Sequence, residues 1–436
     1  MNRFVEVYLW GTKIGVLALP SGSRCTVFEY DSSFVRQVQS TNIQLSPLRM
    51  PVSPRVFSFP EIGSAFHGAP GLLADSLPDR FGNAVIRRWL ADQGKTESDF
   101  NVIDRLCYTG SRGMGALEYV PALGPEADTE DAVNLAEMVA FASQILNDRS
   151  KIKLNPGERI TYAQLLQLGT SAGGARAKAL IARNETTGEI RSGQIRPEEG
   201  FDFWLMKFDG VSNNGDHDLT DAPEYTLIEY AYYKMAVAAG IVMNECSLFS
   251  ENGRNHFMTK RFDRSGSQKL HMQTLGALAH IDYNVPGLCG YEEAAMYMRE
   301  IGLTKRELEQ FFRRMVFNVA AVNQDDHVKN TAFLMDREGK WTLSPAYDMT
   351  FSYDPGNLWL SAHQMTIRGK RRGITLDDLS AAGKSMGLSA GKMKVIAEEV
   401  HGAVQNWMEF ASETGIREKT ASTILRIMKE NSPVKG

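Results

Sequence analysis

Cysteine is scarce in this 436-residue chain, and its four copies, Cys25, Cys107, Cys246 and Cys289, stand far apart with no paired spacing. That excludes a zinc centre of the paired-cysteine type and a disulfide framework, and it suits a reducing compartment. No run of eighteen uncharged apolar residues occurs, so no membrane span is expected. The opening MNRFVEVYLWGTK has no signal-peptide hydrophobic stretch, which makes a soluble, cytoplasmic protein the expectation. An excess of positive charge is missing too. At a formal net charge of −4 the whole molecule has no field for avid, nonspecific nucleic-acid binding. There is no internal repeat and no extended low-complexity tract. What remains is ordinary for a globular protein, 43% hydrophobic and 23% charged, and long enough for two or three domains.

The most informative stretch is 316–348, VFNVAAVNQDDHVKNTAFLMDREGKWTLSPAYD. An apolar segment ends at Asn323 and a polar knot follows, with Gln324, Asp325, Asp326, His327, Lys329 and Asn330. Strand-like runs at 331–335 and 340–343 flank Asp336-Arg337-Glu338-Gly339, a hairpin-turn composition, so Asn330 and Asp348 are expected to lie close together. Asp325 stands five residues ahead of Asn330. Phosphoryl-transfer sites use that spacing for a proton-accepting Asp and a magnesium-binding Asn, with a second metal-binding Asp after a strand pair. Mg²⁺ prefers hard oxygen ligands, and a hydroxyl nucleophile needs a carboxylate within hydrogen-bond reach. A plain solvated turn would have the same composition, and a metal-dependent hydrolase would use Asp325, Asp326 and His327 as ligands. Either carboxylate of the pair is open to the base role on residues alone, though spacing to Asn330 favours Asp325.

Upstream, 4–10, 13–18 and 25–30 read as strands, and Pro78 opens a helix with apolar Phe81, Ala84, Val85 and Trp89 at helical spacing. The glycines of 109–115 read as a turn before a strand at 116–120, and 121–131 is an acidic connector. Helices are expected at 132–147 and 162–168. Small residues then fill 168–181 around Ser171, Ala172, Gly173, Gly174 and Ala175, with Lys178 close behind. Backbone N–H groups beside a lysine suit a polyanion, although a small-residue hairpin would look alike. Strand 201–208 embeds Lys207 among large apolar residues, and a buried ammonium needs a partner. Twenty-two residues on, Glu229 lies in a helix over 224–239. A strand lysine paired to a helix glutamate is what an ATP-binding small lobe requires; a water-facing lysine and a wet glutamate are the plainer alternative. The strand 256–262 carries Lys260 and Phe262 and fits a hinge between lobes. Helices follow at 291–301, 305–322 (capped by Thr304 with Glu307), 376–382, 390–408 and 416–429. The one concentrated basic run is Arg368-Gly369-Lys370-Arg371-Arg372-Gly373, by composition a solvated hairpin turn.

Nine segments in one order resemble the HipA family of bacterial serine/threonine kinase toxins. They are VYLWGTKIGVLAL at 7–19, LLADSLPDRFG at 72–82, GSRGMGALEYVP at 110–121, TSAGGARAKALI at 170–181, WLMKF at 204–208, IEYAYYKMAVAAGI at 228–241, KRFDR at 260–264, and NQDDHVKN at 323–330 with LSPAYDMT at 343–350. The resemblance implies an α+β, two-lobed protein-kinase-like fold. An N-terminal mixed α/β subdomain would cover 1–125, an ATP-binding N-lobe 126–262 and a mainly helical C-lobe 263–436. It implies ATP and Mg²⁺ as cofactors, Asp325 as catalytic base, and Asn330 with Asp348 as metal ligands. Ser171 to Ala175, Lys178, Lys207, Glu229, Lys260, Phe262, His327 and Lys329 would serve the nucleotide, and Ser171 would be an autophosphorylation site. The implied partners are a helix-turn-helix antitoxin of the HipB type, operator DNA reached through it, and a translation-related protein substrate such as an aminoacyl-tRNA synthetase. A catalytically weak corepressor of the same fold is the alternative.

Overall fold

The computed structural model describes residues 1–41, 43–123, 138–139, 142, 176–193, 200–211, 224–265 and 268–433. The helices expected at 132–147 and 162–168 and the phosphate loop Ser171–Ala175 lie outside the described residues, three positions of the first apart. The protein is mixed α+β and divides into two compact units, each discontinuous in sequence. The first comprises Met1–Ala222, Phe249–Gln273 and Met335–Lys340; the second comprises Pro223–Leu248, Thr274–Leu334 and Trp341–Gly436.

Two antiparallel sheets build the first unit. One joins β1 (Phe4–Leu9), β2 (Thr12–Ala18), β3 (Val27–Tyr30), β4 (Val56–Ser58) and β5 (Leu117–Val120) in the order β4-β3-β2-β1-β5. Alternation decides its face: Val5, Val7 and Leu9 are buried while the residues between them are not. Gly15 is required where β2 pairs with β3, because a Cβ there would sit 2.4 Å from the Glu29 carbonyl oxygen. The second sheet contains β6 (Lys178–Asn184), β7 (Ile190–Ser192), β8 (Phe201–Lys207), β9 (Cys246–Glu251, of which this unit takes Phe249–Glu251) and β10 (Arg254–Lys260), ordered β7-β6-β8-β10-β9. The expected helix after Pro78 runs Arg80–Asp92, and Phe81 and Val85 pack into one core with Ala179, Ile181, Trp204 and Met206 of this sheet.

The second unit is mainly helical, with Tyr225–Ala238, Tyr291–Glu300, Lys305–Ala320, Leu376–Ser385, Ala390–Gln405, Trp407–Glu413 and Glu418–Asn431 as its longer helices. The Thr304–Glu307 capping box forms as expected. The helix expected over 390–408 breaks at Asn406. Trp407, fully buried, turns inward, stacks edge-on to Tyr232 and donates its indole N–H to the Ala421 carbonyl at 2.9 Å. Tyr232 in turn donates to the Ala321 carbonyl at 2.5 Å, fastening Tyr225–Ala238 to the end of Lys305–Ala320. That end is where the polar knot begins. Among the described residues no helix is long and apolar enough to cross a membrane.

Candidate active site in the helical unit

Lys305–Ala320 stops because Val322 adopts φ 53°, a left-handed conformation that costs a β-branched residue about 1–3 kcal/mol and persists only where its surroundings enforce it. Two main-chain bonds do so. Gln324 N donates to the Ser352 carbonyl at 2.9 Å, and Ser352 N donates to the Val322 carbonyl at 3.2 Å. The strands Ala332–Met335 and Trp341–Leu343 then turn the chain back, with Ser344 N on the Ala332 carbonyl at 3.0 Å. At the far side Tyr347 donates its hydroxyl to the Lys329 carbonyl at 2.5 Å. Asp348, itself left-handed at φ 52°, is thus held between two anchors on the 322–329 loop. The hairpin does what its composition predicts.

Within the knot, Asn330 donates its amide nitrogen to the Asp325 carbonyl at 2.8 Å, which shapes the loop and leaves the amide oxygen for another partner. Asp325 accepts the indole N–H of Trp359 at 2.8 Å and has His327 Nε2 3.7 Å away. Desolvation pushes its carboxyl above the usual carboxylate range, opposed by His327 and Trp359, while the charges of Asp348 and Asp326 push it further up. Its side chain is still 38% exposed, so the carboxylate stays accessible. His327 packs against Tyr283 and Trp359, and the Lys329 ammonium lies over the Tyr283 ring at 4.8 Å.

Asp326 has the opposite fate. Its side chain is 1% exposed and accepts from Tyr291 Oη at 2.8 Å, His363 Nδ1 at 3.0 Å and Gln364 N at 2.7 Å. Burial raises its pKa, but His363, Tyr291 and Gln364 outweigh it and hold the carboxyl below its ordinary value. The network continues through Asn318, which donates to Tyr291 Oη, and Asn323, which donates to Asn318. Between two adjacent acids the geometry leaves only Asp325 open to a substrate hydroxyl. A hydrolase site needing Asp326 as a metal ligand is disfavoured, since its oxygens are spent on protein donors. Among the described residues no group of three or more His, Cys, Asp or Glu is arranged to hold a metal ion.

The remaining residues split between units. Glu229, on the helix Tyr225–Ala238, is 2% exposed in the second unit. Lys207 ends β8 in the first unit, 7% exposed, its ammonium 5.9 Å from the Phe257 ring centroid. Neither is the water-facing residue of the plainer alternative. Lys178 stands opposite Lys207 in the β6–β8 register, so both leave the same face. Its ammonium is 3.3 Å from Asp79 Oδ2, both side chains about 95% buried, while Asp79 Oδ1 caps Arg80–Asp92 through Gly82 N at 2.7 Å. Lys260 gives its ammonium to Asp202 at 2.6 Å, and Phe262 is half-buried. Sequence reasoning missed Asp79, Trp359, His363 and Asp263. Asp263 is fully buried, accepts Gly115 N at 2.7 Å, and has its pKa raised by burial but brought down to about 2 by Arg261 and Arg264. The glycine turn at 109–115 is therefore a clamp on the KRFDR segment.

Comparison with known proteins gives the family. Residues 5–120 match the HipA N-terminal domain and 170–408 the HipA-like C-terminal domain. A putative kinase, Y4dM, of Sinorhizobium fredii (strain NBRC 101917 / NGR234) is 22% identical over 366 residues, 79% of this chain and 76% of that protein. A putative kinase of Haemophilus influenzae is 29% identical over 161 residues, 32% of this chain and 46% of that protein. In fold, a chain of the Shewanella oneidensis MR-1 toxin–antitoxin complex of HipA, HipB and operator DNA matches with a TM-score of 0.64 at 14% identity, covering 98% of this chain and 95% of that one. With the C-terminal family domain spanning more than half of it, the chain belongs to the HipA-like kinase family.

Proposed function

We propose that the protein is an ATP- and Mg²⁺-dependent serine/threonine protein kinase, the toxin of a toxin–antitoxin module. The observation that carries this reading is the arrangement of Asp325, Asn330 and Asp348 on two chain segments pinned together at Tyr347 and Ser352. Asp325 orients the substrate hydroxyl and accepts its proton, an effect worth roughly 10²–10⁴ in rate. The donor set fits Mg²⁺: the Asn330 amide oxygen and the Asp348 carboxylate are hard oxygens, and such a site takes one or two carboxylates with the rest supplied by phosphate and water. When bound, the ion would neutralise charge on the transferred phosphoryl group. Lys207 is suited to the nucleotide phosphates and the small-residue loop Ser171 to Ala175 to the phosphate cradle, while Glu229, His327 and Lys329 are assigned to the nucleotide by the same reading.

The partners follow from the family. A HipB-like helix-turn-helix antitoxin would bind operator DNA and bring the kinase to it, and the substrate would be a translation component such as an aminoacyl-tRNA synthetase. Ser171 is proposed as a self-limiting switch. A phosphate there adds close to two negative charges to a loop that must hold another polyanion. Incubation with labelled ATP and Mg²⁺, wild type against Asp325→Gln, tests the reading, with phosphate mapped by mass spectrometry. Label on Ser171 in wild type alone is expected; equal label in both proteins would remove Asp325 from the mechanism.

A further inference from the structure

The two oxygens of the Asp325 carboxylate have different surroundings. Trp359 Nε1 donates to Oδ1 at 2.8 Å, and His327 Nε2 lies 3.7 Å from the same oxygen. Oδ2 has no partner among the described residues, and the side chain is open to solvent. The indole that holds Oδ1 is itself fixed. Trp359 is buried, and a turn over 354–360 sets its backbone. Asn357 Oδ1 accepts Trp359 N at 2.7 Å and Leu360 N at 3.3 Å. Asn357 N donates to the Asp354 carbonyl at 3.2 Å, and Asp354 N donates to the Leu360 carbonyl at 3.0 Å. From the other side Gln364 Nε2 donates to the Trp359 carbonyl, while Gln364 N donates to Asp326 Oδ1 at 2.7 Å. Hydrogen bonds thus make a circuit from Asp325 through Trp359 and Gln364 to Asp326, closed by the peptide bond between the two acids.

We infer that Trp359 is a positioning residue for the base: its indole N–H holds Asp325 Oδ1, so that Oδ2 faces the substrate hydroxyl and takes its proton. The inference rests on the kinase reading and adds to it a residue that binds neither nucleotide nor metal. The last torsion of an aspartate side chain is broad, so an exposed carboxylate left to itself swings. A base acts only within hydrogen-bond reach of the proton, and a misplacement of about 1 Å costs on the order of 10²-fold in rate. A charge-assisted bond to one oxygen removes that freedom. Indole suits the task because its N–H is a donor only. It keeps its own proton and does not compete for the one leaving the hydroxyl. A tryptophan that merely filled space would be satisfied by any buried carbonyl. Here its acceptor is the accessible carboxylate, and Gln364 ties its backbone to the buried Asp326.

The test uses the full chain. Label transfer from ATP in Mg²⁺ is measured to the chain itself and to dephosphorylated casein, and nucleotide affinity separately with fluorescent methylanthraniloyl-ATP. Trp359→Phe keeps an aromatic ring beside His327 and loses the N–H. It is expected to lower kcat about ten- to a hundredfold, with the KM for ATP and the affinity for the analogue within about twofold of wild type. Gln364→Leu, which frees the Trp359 carbonyl and leaves the indole in place, should lower kcat by less. A structural role would instead weaken nucleotide binding and lower the melting temperature along with turnover. The bond itself is read without a tryptophan substitution, by NMR of protein carrying isotope-labelled tryptophan. Of the six indole N–H signals, one should move upfield in Asp325→Ala while the others stay. Wild-type kcat in Trp359→Phe, or no moved indole signal in Asp325→Ala, would overturn the inference. So would a loss in Trp359→Phe matched by an equal loss of nucleotide affinity. Absence of transfer by wild type to either acceptor would strike the kinase reading instead, and the indole signals still decide whether Trp359 holds Asp325.

Discussion

Asp325 accepts one indole N–H and keeps 38% of its side chain exposed; Asp326, next in the chain, accepts three donors at 1% exposure. Nothing in the dipeptide distinguishes them. The difference comes from Tyr291, His363 and Gln364, which lie 35 to 38 residues away in sequence. Breaking a buried, hydrogen-bonded charge pair by removing one member costs about 3–5 kcal/mol. Asp326→Asn is therefore expected to lower stability by about 3 kcal/mol in urea unfolding, because three buried donors lose their charged acceptor and an amide N–H₂ faces them. Asp325→Asn is expected to unfold near the wild-type midpoint while losing phosphoryl transfer. Were the two variants equally destabilised, Asp326 would not be the structural member of the pair. Because the Asp326 pKa is lowered in the folded state, its stabilisation is present above the ordinary carboxylate range and lost as pH falls below it.

Elements are tied together by a few buried charges whose partners sit on other elements. Asp79 is the clearest: one oxygen caps Arg80–Asp92, the other faces Lys178 on β6. Losing the cap costs about 1 kcal/mol and stranding a buried lysine costs more. Asp79→Ala is expected to destabilise by several kcal/mol, and Asp79→Ala with Lys178→Met by distinctly less, since the second change removes the orphaned charge. Additive losses in urea titrations of the two single variants and the double would show that the pair does not interact. His271 supplies the pH-sensitive element. It is fully buried with a ring nitrogen 2.8 Å from the Leu45 carbonyl oxygen, and burial brings its pKa down from 6.5 to about 4. The unfolded chain takes up that proton first as pH drops, so stability is full above pH ~6.5 and declines toward pH ~4, by about 3 kcal/mol in all. His271→Gln keeps a donor without the titration. It should flatten the urea midpoint between pH 7 and 5 relative to wild type, and an unchanged slope would exclude His271 as the cause.

At the scale of the molecule, local pattern and long-range pairing separate cleanly. The alternation Val5, Val7, Leu9, the Thr304 capping box and the Asp336–Gly339 turn are written in neighbouring residues, so strands, helices and the hairpin that returns Asp348 were legible. Spacing alone also picked Asp325 and Asn330, whose main-chain and amide groups do meet. The Gly115–Asp263 bond spans 148 residues and the Lys178–Asp79 pair joins two motifs each readable as something else, so neither carried a local signal. Those same bonds bear on how the chain divides. The C-terminal family match begins at 170 and ends at 408, yet the first unit combines Met1–Ala222 with Phe249–Gln273. A piece covering only 170–408 would leave Lys178 without Asp79, and Asp263 without the Gly115 N–H, both in buried settings. It would also remove Ala421, which receives the Trp407 indole N–H, and uncover the apolar side chains that face Glu418–Asn431. A lysine stripped of its carboxylate and an exposed core weigh against the roughly 5–15 kcal/mol that holds a domain folded. That piece is therefore expected to aggregate or bind a hydrophobic dye and to be cut rapidly by protease, whereas 1–433 resists both. A monodisperse 170–408 fragment with a cooperative melt would show that the N-terminal residues only decorate the second sheet and do not complete it.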